Sequence, residues 1–330
     1  MANRSQKAAI AAETLRVLEA GEYDLPDGRS VSIREAVRAA MDGTTLIPES
    51  EDPLVGSHGG PTAATVEVTD ETTLRAGRRL FHDLGQDRAG ELCILNFASA
   101  KNPGGGFLGG ASAQEESLAR SSGLYPCLTS HMEDFYSEHR RNPQGAMYSD
   151  AMLHSPGVPF FREDGGEFCE LWTSSVVTCP APNAGVACRT NSQQDIIDAV
   201  RRRCGRVLGL AIAQGHSEIV LGAFGCGVFK NDPRHVAEAF HHWLRGPPCL
   251  ERHFRRVVFA IPAGRDGNHR AFVDVFGVGA LAEATEAADA DAPAQRRVGG
   301  EDKQRRRMRR WSKGGHDGQE DEHKPPNRDA

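Results

Sequence analysis

Two adjacent glutamates follow a run of glycines in the sequence, and this arrangement suits acid–base chemistry. The stretch from Asn96 to Glu116 reads NFASAKNPGGGFLGGASAQEE, and five of the seven positions from 104 to 110 are glycine. Glycine lets the backbone adopt positive φ and approach a ligand closely. Glu115 and Glu116 would project about 100° apart if they open a helix. We therefore expect distinct roles, in which one orients a substrate and the other transfers protons.

A second glycine-rich loop has the character of an anion-binding site. The residues from Gly222 to Asp232 read GAFGCGVFKND, and they also lie between a predicted strand and a predicted helix. Gly225 and Gly227 flank Cys226, and successive backbone N–H groups in such a loop can form a nest that binds an anion. Phe229 could pack against a sugar or a base. Two such loops and a carboxylate pair suit a substrate with a diphosphate and an acid-labile glycosidic bond.

Motif spacing disfavours other chemistries. Gly104, Gly106 and Gly109 match the glycine pattern of dinucleotide-binding proteins, but seven loop residues precede the first of them and no acidic residue ends a second strand. No Lys-Ser or Lys-Thr pair closes either loop, which excludes a P-loop. Cys226 could be a nucleophile, although a small residue in a tight loop is the favoured interpretation. Cys169, Cys179, Cys188 and Cys204 lack the C-x₂-C spacing of a zinc site.

The first loop resembles the signature of poly(ADP-ribose) glycohydrolases, which is three glycines, a spacer and then Gln-Glu-Glu. In this sequence the spacer is the seven residues from Phe107 to Ala113, between Gly106 and Gln114. The second loop is similar to the diphosphate loop of the same family. The sequence most resembles the shorter, bacterial-type branch, and the resemblance extends from about Ala63 to about Val278.

This resemblance implies a three-layer α/β/α macro domain with a mixed central sheet that holds an ADP-ribose unit. The family cleaves the ribose–ribose O-glycosidic bond of poly(ADP-ribose), releases ADP-ribose and requires no metal or other cofactor. By motif position, Glu116 resembles the catalytic acid and Glu115 the neighbour that hydrogen-bonds the substrate beside the scissile bond. Asn96 and Asn102 are both placed to contact the distal ribose, and the sequence does not choose between them. The other implied substrate-binding residues are Gly104, Gly105, Gly106, Gln114, Gly225, Cys226, Gly227, Val228 and Phe229.

The chemistry of glycoside cleavage leads to one further expectation for Glu116. Such reactions pass through an oxocarbenium-like transition state in which a carboxylic acid protonates the leaving oxygen. Glu116 would be that acid and then a base toward water. It must start protonated, so we expect burial to raise its pKa. The alternatives are a macro domain that binds ADP-ribose without cleaving it, and a hydrolase of mono-ADP-ribose links, which differs in the leaving group.

The predicted elements place both loops at the carboxyl ends of strands. From Ala63 onward strands alternate with helices, which favours an α/β sandwich with ligands at those ends. Strands are predicted over Leu92–Ala98, Met147–His154 and Ile219–Phe224, and Asp232 is predicted to cap a helix that begins at Pro233. We predict three regions, which are an N-terminal accessory segment at 1–62, a macro-type catalytic domain at 63–280 and a disordered charged tail at 281–330.

The accessory segment is predicted to contain two helices. Ser5 would cap a helix that runs to about Ala20 and stops at Gly21, and Ser32 with Glu35 would form a capping box for a second helix. The first helix would either cap the adenosine end of the ligand or cover the sheet, and both interpretations remain open.

Composition and charge exclude several classes of protein. The longest nearly apolar stretch, Ile219 to Phe229, is too short for a membrane helix, which needs ~20 residues. The N-terminus has no apolar run, so we expect no signal peptide, and we expect the eight cysteines to be reduced. The net charge of −6 lies outside the charged tail, which sums to zero, so we expect no duplex nucleic-acid binding by the core.

These properties lead to expectations about partners and location. We expect a monomer that acts on poly(ADP-ribose) or ADP-ribosylated protein, without a membrane partner. The location would be cytoplasmic or nuclear. The basic cluster Lys303–Arg310 could be a nuclear-import or nucleic-acid patch, but a solvated charge run is the favoured interpretation.

Overall fold

The structure is a computed structural model, and it describes residues 2–53 and 63–277. A π-helical turn, Met132–Ser137, lies between the fifth and sixth helices. The helices are α1 Arg4–Ala20, α2 Arg34–Asp42, α3 Thr73–Leu84, α4 Gln114–Ser121, α5 Leu124–Thr129, α6 Glu138–Arg141, α7 Ala184–Ala187, α8 Gln193–Ala213, α9 Pro233–Arg245 and α10 Asn268–Phe276. The strands are β1 Glu22–Asp24, β2 Ser30–Ser32, β3 Thr45–Ile47, β4 Thr65–Thr69, β5 Leu92–Phe97, β6 Met152–Arg162, β7 Phe168–Cys179, β8 Glu218–Leu221 and β9 Arg256–Ala260.

Seven strands form one mixed sheet in the order β3–β6–β7–β5–β8–β9–β4. Neighbours from β7 to β4 pair in parallel, whereas β6 is antiparallel to both β3 and β7. The strands β1 and β2 form a separate hairpin. Because β5 and β8 are parallel neighbours, the loops that follow them start side by side at one edge of the sheet, where open α/β sheets bind ligands.

Helices cover both faces of the sheet, which confirms the predicted three-layer α/β/α fold. Alternate residues of β5 lie on opposite faces of the sheet. Leu92 and Ile94 pack in the core with α3, α4 and α5. Cys93 and Leu95 instead pack in the core with α8, α9 and α10. A strand that is apolar on both faces is typical of a parallel sheet covered on both sides.

The N-terminal helix is confirmed, but its cap is not the predicted one. The side chain of Asn3, rather than Ser5, accepts the Gln6 N–H at 2.9 Å. The predicted capping box at Ser32 and Glu35 is wrong, because Ser32 lies in β2 and α2 has no side-chain cap. At the first helix, the nearby Asn3 has an equally suitable capping side chain. At the second, Ser32 is instead part of the hairpin that β2 forms with β1.

The strand predicted to start at Met147 starts only at Met152, and a buried arginine explains the delay. Arg203 donates to Asp150 Oδ1 at 2.8 Å and to the carbonyl oxygens of Met147 and Tyr148 at 2.6 and 2.9 Å. Tyr148 also has a positive φ of 60°, which a strand does not allow. The preceding segment is therefore a loop anchored on α8.

The predicted regions are only partly within the described residues. Part of the accessory segment joins the central sheet, since β3 pairs with β6, and the boundary at residue 62 stays a prediction. The predicted tail at 281–330, with its basic cluster Lys303–Arg310, lies outside the described residues. No helix among the residues that the structure describes is long and apolar enough to cross a membrane.

Candidate active site

A cavity of about 990 Å³ lies where the loops after β5 and β8 meet. This volume is at the upper end of the range of ~300–1,000 Å³ that is typical of ligand sites. Two predicted site residues, Asn96 and Gly104, are not part of its lining. The predicted residues that do line it are Asn102, Gly105, Gly106, Gln114, Glu115, Glu116, Gly225, Cys226, Gly227, Val228 and Phe229.

Glu116 stands in the first turn of α4 and is held by backbone donors. Its Oε2 accepts the Ala113 N–H at 2.9 Å, and its Oε1 accepts the Gly106 N–H at 3.0 Å. A carboxylate at this position is also favoured by the helix dipole. The predicted burial of Glu116 is wrong, because its side chain lies at the cavity surface and is partly exposed.

Glu115 is the buried carboxyl instead, and only 3% of its surface is exposed to solvent. Its Oε2 accepts the Ser99 N–H at 2.7 Å, and its Oε1 lies 3.4 Å from the Asn96 amide nitrogen. Desolvation by burial, with a smaller contribution from the nearby Glu116 charge, raises the pKa of Glu115 to about 8. Glu115 is therefore mostly neutral at pH 7, and a neutral carboxyl can donate a hydrogen bond.

Gly105 lies directly against both carboxyl groups. A Cβ at this position would be 2.4 Å from Glu116 Oε1 and 3.0 Å from Glu115 Oε2. Its φ of +59° is also in the left-handed region that favours glycine. Only glycine at position 105 lets the loop close over the carboxyl pair.

The two asparagines that the sequence could not separate have different environments. Asn96 is fully buried at the end of β5, where its amide nitrogen contacts Glu115 and Thr178 Oγ1, at 3.3 Å from the latter. Its Oδ1 has no hydrogen-bond partner among the residues that the structure describes. Asn102 lines the cavity, and its Oδ1 lies 3.5 Å from an Arg140 nitrogen.

Gln114 connects the first loop to the sheet. Its amide oxygen accepts the Phe97 N–H at 2.9 Å, and its amide nitrogen donates to the Leu95 carbonyl at 2.7 Å. The start of α4 is thereby fixed to the end of β5. Gln114 lines the cavity, but its hydrogen bonds position the two glutamates that follow it.

The second loop presents backbone donors that have no partner. Within the described part of the chain, the N–H groups of Gly227, Val228 and Phe229 donate to no acceptor, whereas the Cys226 N–H donates to the Ala223 carbonyl at 3.1 Å. All three of the former residues line the cavity. Consecutive free N–H groups form a concave site for an anion.

Two glycines of this loop, Gly225 and Gly227, differ in whether backbone conformation and packing require a glycine there. Gly225 has a φ of +71°, and a Cβ there would be 2.5 Å from both Ala181 and the Asn231 amide. Asn231 donates to the carbonyl oxygens of Gly225 and Pro182 at 3.0 and 2.8 Å, which closes the loop. Gly227 has neither a positive φ nor any heavy atom within 4 Å of such a Cβ. Packing against the described part of the chain therefore gives no reason for a glycine at position 227.

Cys226 and Phe229 are less ambiguous in the structure than in the sequence. Burial raises the pKa of the Cys226 thiol to about 12, so the thiol is not an activated nucleophile. The half-buried Phe229 ring lies at the cavity, 6.3 Å between centroids from the Tyr148 ring. The positive φ of Tyr148 sets the position of the Tyr148 ring. The sequence carried no signal for this residue beyond an aromatic side chain in a predicted strand.

The N-terminal helix covers part of the sheet, as one of the two interpretations expects, because Val17 packs in one core with Phe161 of β6. A role at the adenosine end of the ligand stays a prediction, and the helix also contacts the first loop. Arg4 Nε donates to the Gly109 carbonyl at 2.9 Å, and Lys7 Nζ donates to Ser112 Oγ at 2.7 Å. A Cβ on Gly110 would be 2.0 Å from the Arg4 carbonyl oxygen. The helix α1 thus packs on the outer side of the first glycine-rich loop.

Residues that sequence analysis did not single out also shape the site. Thr72, which precedes α3, and Asp164, in the turn between β6 and β7, line the cavity, and only tertiary structure brings them there. Arg203 had a readable signal, because it lies between Val200 and Val207 on the apolar face of α8. Among the described residues, no group of three or more His, Cys, Asp or Glu side chains could hold a metal ion.

Comparison with known proteins identifies relatives of this chain. A model of the family described as microbial-type PARG, catalytic domain, matches residues 11–163. A search of curated proteins finds no match. Among solved structures, poly(ADP-ribose) glycohydrolase from Thermomonospora curvata superposes with a TM-score of 0.78 at 42% identity, covering 83% of this chain and 100% of its own.

Two further structures contain bound ligands. The Thermomonospora curvata enzyme bound to the inhibitor ADP-HPD has a TM-score of 0.76 and 43% identity, and covers 82% of this chain and 99% of its own. Poly(ADP-ribose) glycohydrolase from Deinococcus radiodurans in complex with ADP-ribose has a TM-score of 0.66 and 40% identity. It covers 73% of this chain and 96% of its own.

Proposed function

The chain belongs to the family of microbial-type poly(ADP-ribose) glycohydrolases, and we propose from its cavity which residues perform the hydrolysis. The protein is a glycoside hydrolase that acts on poly(ADP-ribose). The observation that carries the assignment of residues is the meeting of a carboxyl pair and a row of free N–H groups in one cavity. The bound ADP-HPD and ADP-ribose of the relatives support an ADP-ribose unit as the group held there.

The second loop binds the diphosphate of that unit. The N–H groups of Gly227, Val228 and Phe229 are free to donate to phosphate oxygens, and Gly225 shapes the turn that presents them. The absence of a side chain at Gly227 allows the phosphate to approach the backbone. The Phe229 ring covers the distal ribose, as its place in the lining supports.

Glu116 protonates the glycosidic oxygen. The proton passes from Glu116 to that oxygen while the bond between the oxygen and the anomeric carbon breaks, and the bonding electrons leave with the oxygen. Water then attacks the anomeric carbon and gives a proton to the Glu116 carboxylate, which restores the acid. Gly106 and Ala113, whose N–H groups hold Glu116, both line the cavity, and a carboxyl group has further acceptor sites for the arriving substrate oxygen.

Glu115 holds the substrate beside the scissile bond. Its neutral carboxyl can donate a hydrogen bond to a ribose hydroxyl while it still accepts the Ser99 N–H. Asn96 acts behind Glu115 as a positioning residue, and Asn102 is the asparagine that reaches the ribose.

The monomeric state and the absence of duplex nucleic-acid binding by the core are also proposals. The net charge of −6 supports the second, because a phosphate-backbone binder needs positive charge. A molar mass above 35.7 kDa in light scattering would contradict the first proposal. Salt-sensitive retention of duplex DNA that persists when the basic residues of Lys303–Arg310 are replaced by glutamine would contradict the second.

The experiment that tests the assignment is release of ADP-ribose from poly(ADP-ribose) by wild type and by Glu116→Gln. Loss of general acid catalysis should lower turnover by about 10²–10⁴-fold. Calorimetry should show unchanged ADP-ribose affinity, because Glu116 is not an anchor for the diphosphate. The control is Glu133→Gln, which changes an exposed carboxylate outside the cavity and should retain full activity. Substantial turnover by Glu116→Gln would refute the role of Glu116.

A further inference from the structure

A buried arginine on the catalytic helix has no part in the hydrolysis described above. Arg120 lies on α4, four residues after Glu116, and only 7% of its surface is exposed to solvent. Residues four apart lie on the same side of a helix. Arg120 does not line the cavity, and no carboxylate among the described residues forms an ion pair with it. A buried charge without an ion partner is costly, so its hydrogen bonds must offset that cost.

The Arg120 side chain binds two segments that flank the catalytic glutamates. Its Nη1 donates to the Ala111 carbonyl at 2.6 Å, in the spacer between the glycines and α4. Its Nη2 lies 3.3 Å from the hydroxyl oxygen of Ser117, the residue directly after Glu116. A planar guanidinium is suited to joining two acceptors in fixed directions. Arg120 therefore joins the spacer to the first turns of α4.

Ala111 connects Arg120 to the groups that hold Glu116. The Ala111 N–H donates to the Gly106 carbonyl at 3.1 Å. The Gly106 N–H in turn donates to Glu116 Oε1 at 3.0 Å. Ala111 also lies two residues before Ala113, whose N–H donates to Glu116 Oε2 at 2.9 Å. Both backbone donors of Glu116 thus belong to a segment that the bond between Arg120 and Ala111 fixes on its inner side.

The charge of Arg120 also lies where the reaction can use it. Burial lowers the pKa of the Arg120 guanidinium, whereas the charge of Glu116 raises it, so the two side chains interact electrostatically. Glu116 becomes ionised as it gives its proton to the glycosidic oxygen. A preorganised positive charge stabilises a carboxylate that forms in the transition state.

We propose that Arg120 is a positioning residue, which fixes the spacer so that the N–H groups of Gly106 and Ala113 hold the Glu116 carboxyl in its reactive position. This inference rests on the proposed function, because it takes Glu116 to be the acid. Arg120 lies outside the cavity lining and acts only through Glu116. Its removal should therefore slow the chemical step and leave the binding of ADP-ribose unchanged.

The test is turnover of poly(ADP-ribose) by Arg120→Met, made both in wild type and in Glu116→Gln. Methionine fills a similar space but has no donor for the spacer. Misplacement of a catalytic group by about 1 Å costs about 100-fold in rate, so kcat should fall by about that factor in the wild-type background. In the Glu116→Gln background the residual turnover should fall by less than about twofold, because the group that Arg120 positions is already lost. The affinity for ADP-ribose in calorimetry should stay within about twofold of wild type in both backgrounds.

Two further variants separate positioning from stability. Arg120→Lys keeps the charge but reaches a single acceptor, so it should lose about tenfold in kcat, as expected for one lost hydrogen bond. The matched control is Arg206→Met. Arg206 is also buried, at 8% exposed, and donates to the carbonyl oxygens of Asp150 and Pro48 at 3.1 and 3.0 Å, outside the cavity lining. Arg206→Met should lose stability and keep the specific activity of the folded protein.

Three results would overturn the role of Arg120. Wild-type specific activity in folded Arg120→Met would show that Arg120 only stabilises the fold. A further loss of similar size in the Glu116→Gln background, or a parallel loss of ADP-ribose affinity, would show that it does not act through Glu116. If Arg120→Met does not fold, Arg120→Lys decides by the same comparisons. Wild-type turnover by Glu116→Gln alone would instead overturn the proposed function of Glu116, so the two failures are distinguishable.

Discussion

The two glycine-rich loops follow neighbouring parallel strands, yet their glycines serve different purposes. In the first loop Gly105 makes room for the protein's own carboxyls, 2.4 Å from where its Cβ would be. In the second loop Gly227 has open space around it and no positive φ. The difference indicates that the first loop is packed to place catalytic groups, whereas the second loop is shaped for a ligand that approaches its backbone.

The backbone donors of the two loops differ in the same way. In the first loop the N–H groups of Ser99, Gly106 and Ala113 all donate to Glu115 or Glu116. In the second loop three consecutive N–H groups, at 227–229, have no acceptor among the described residues. The backbone donors around the two carboxyls of the first loop are thus occupied without substrate, whereas those at 227–229 are free for an anion.

Among the substitutions that test this difference between the loops, Gly105→Ala should have the largest effect on turnover. The added Cβ would displace Glu116, and misplacement of a catalytic group by about 1 Å costs about 100-fold in rate. The positive φ adds a stability cost of about 1–3 kcal/mol. Turnover on poly(ADP-ribose) and thermal unfolding would be measured together.

The control for Gly105→Ala is Gly28→Ala. Gly28 has a φ of +86° but nothing within 4 Å of a Cβ, so it carries the same backbone cost without the clash. Gly28→Ala should therefore lose stability and keep its specific activity. A Gly105→Ala variant with wild-type specific activity would break the contrast between the loops.

The buried carboxyl of the first loop should make activity and stability depend on pH. The folded-state pKa of Glu115 is raised from 4.5 to about 8, so the folded protein holds its proton more tightly than the unfolded chain does. Stability from this group is present below pH 4.5 and is lost as the pH rises to about 8. Activity should likewise fall above pH 8, because ionised Glu115 no longer donates a hydrogen bond.

Glu115→Gln tests whether the Glu115 proton causes this pH dependence, because glutamine is neutral at every pH. The variant should be less active, by about 10-fold or more, and its activity should lack the decrease near pH 8. It should be more stable than wild type at pH 8.5, by up to about 4 kcal/mol at ~1.4 kcal/mol per pKa unit, with little advantage at pH 4.5. Denaturant unfolding at both pH values tests this, and equal stability at pH 8.5 would argue that Glu115 is ionised without cost.

Gly227→Ala should have the smallest effect, and it should lower the affinity for ADP-ribose without changing stability. Added bulk at the open glycine should weaken ADP-ribose binding by about tenfold, which corresponds to ~1.4 kcal/mol. Stability should change by less than about 0.5 kcal/mol, as at other surface positions. Titration calorimetry and thermal unfolding measure the two quantities.

Gly90→Ala is the matched control, because Gly90 also lacks a positive φ and has nothing within 4 Å, but lies outside the cavity lining. It should leave both binding and stability unchanged. Unchanged affinity in Gly227→Ala would remove the proposed difference between the loops, since both would then be shaped for internal packing.

The sequence predicted those parts of the fold that local signals specify. Asp232 caps α9 and Pro233 is its first residue, as expected, because an N-cap and a proline act within one helical turn. The burial of the carboxyls was not predicted correctly, since Glu115 rather than Glu116 is enclosed. Burial depends on the neighbouring Ser99 and Asn96, and on residues that fold over them, which no spacing within the motif reports.

The sequence by itself determined which chemical groups are available and which strands carry them, since glycine runs, paired glutamates and apolar strands are local properties of the chain. Tertiary structure alone decided that the two loops share one cavity, because they meet only through the pairing of β5 with β8. It also brought Thr72 together with Asp164. Desolvation and distance depend on residues far apart in the chain, and for that reason the pKa of Glu115 became visible only in the folded protein.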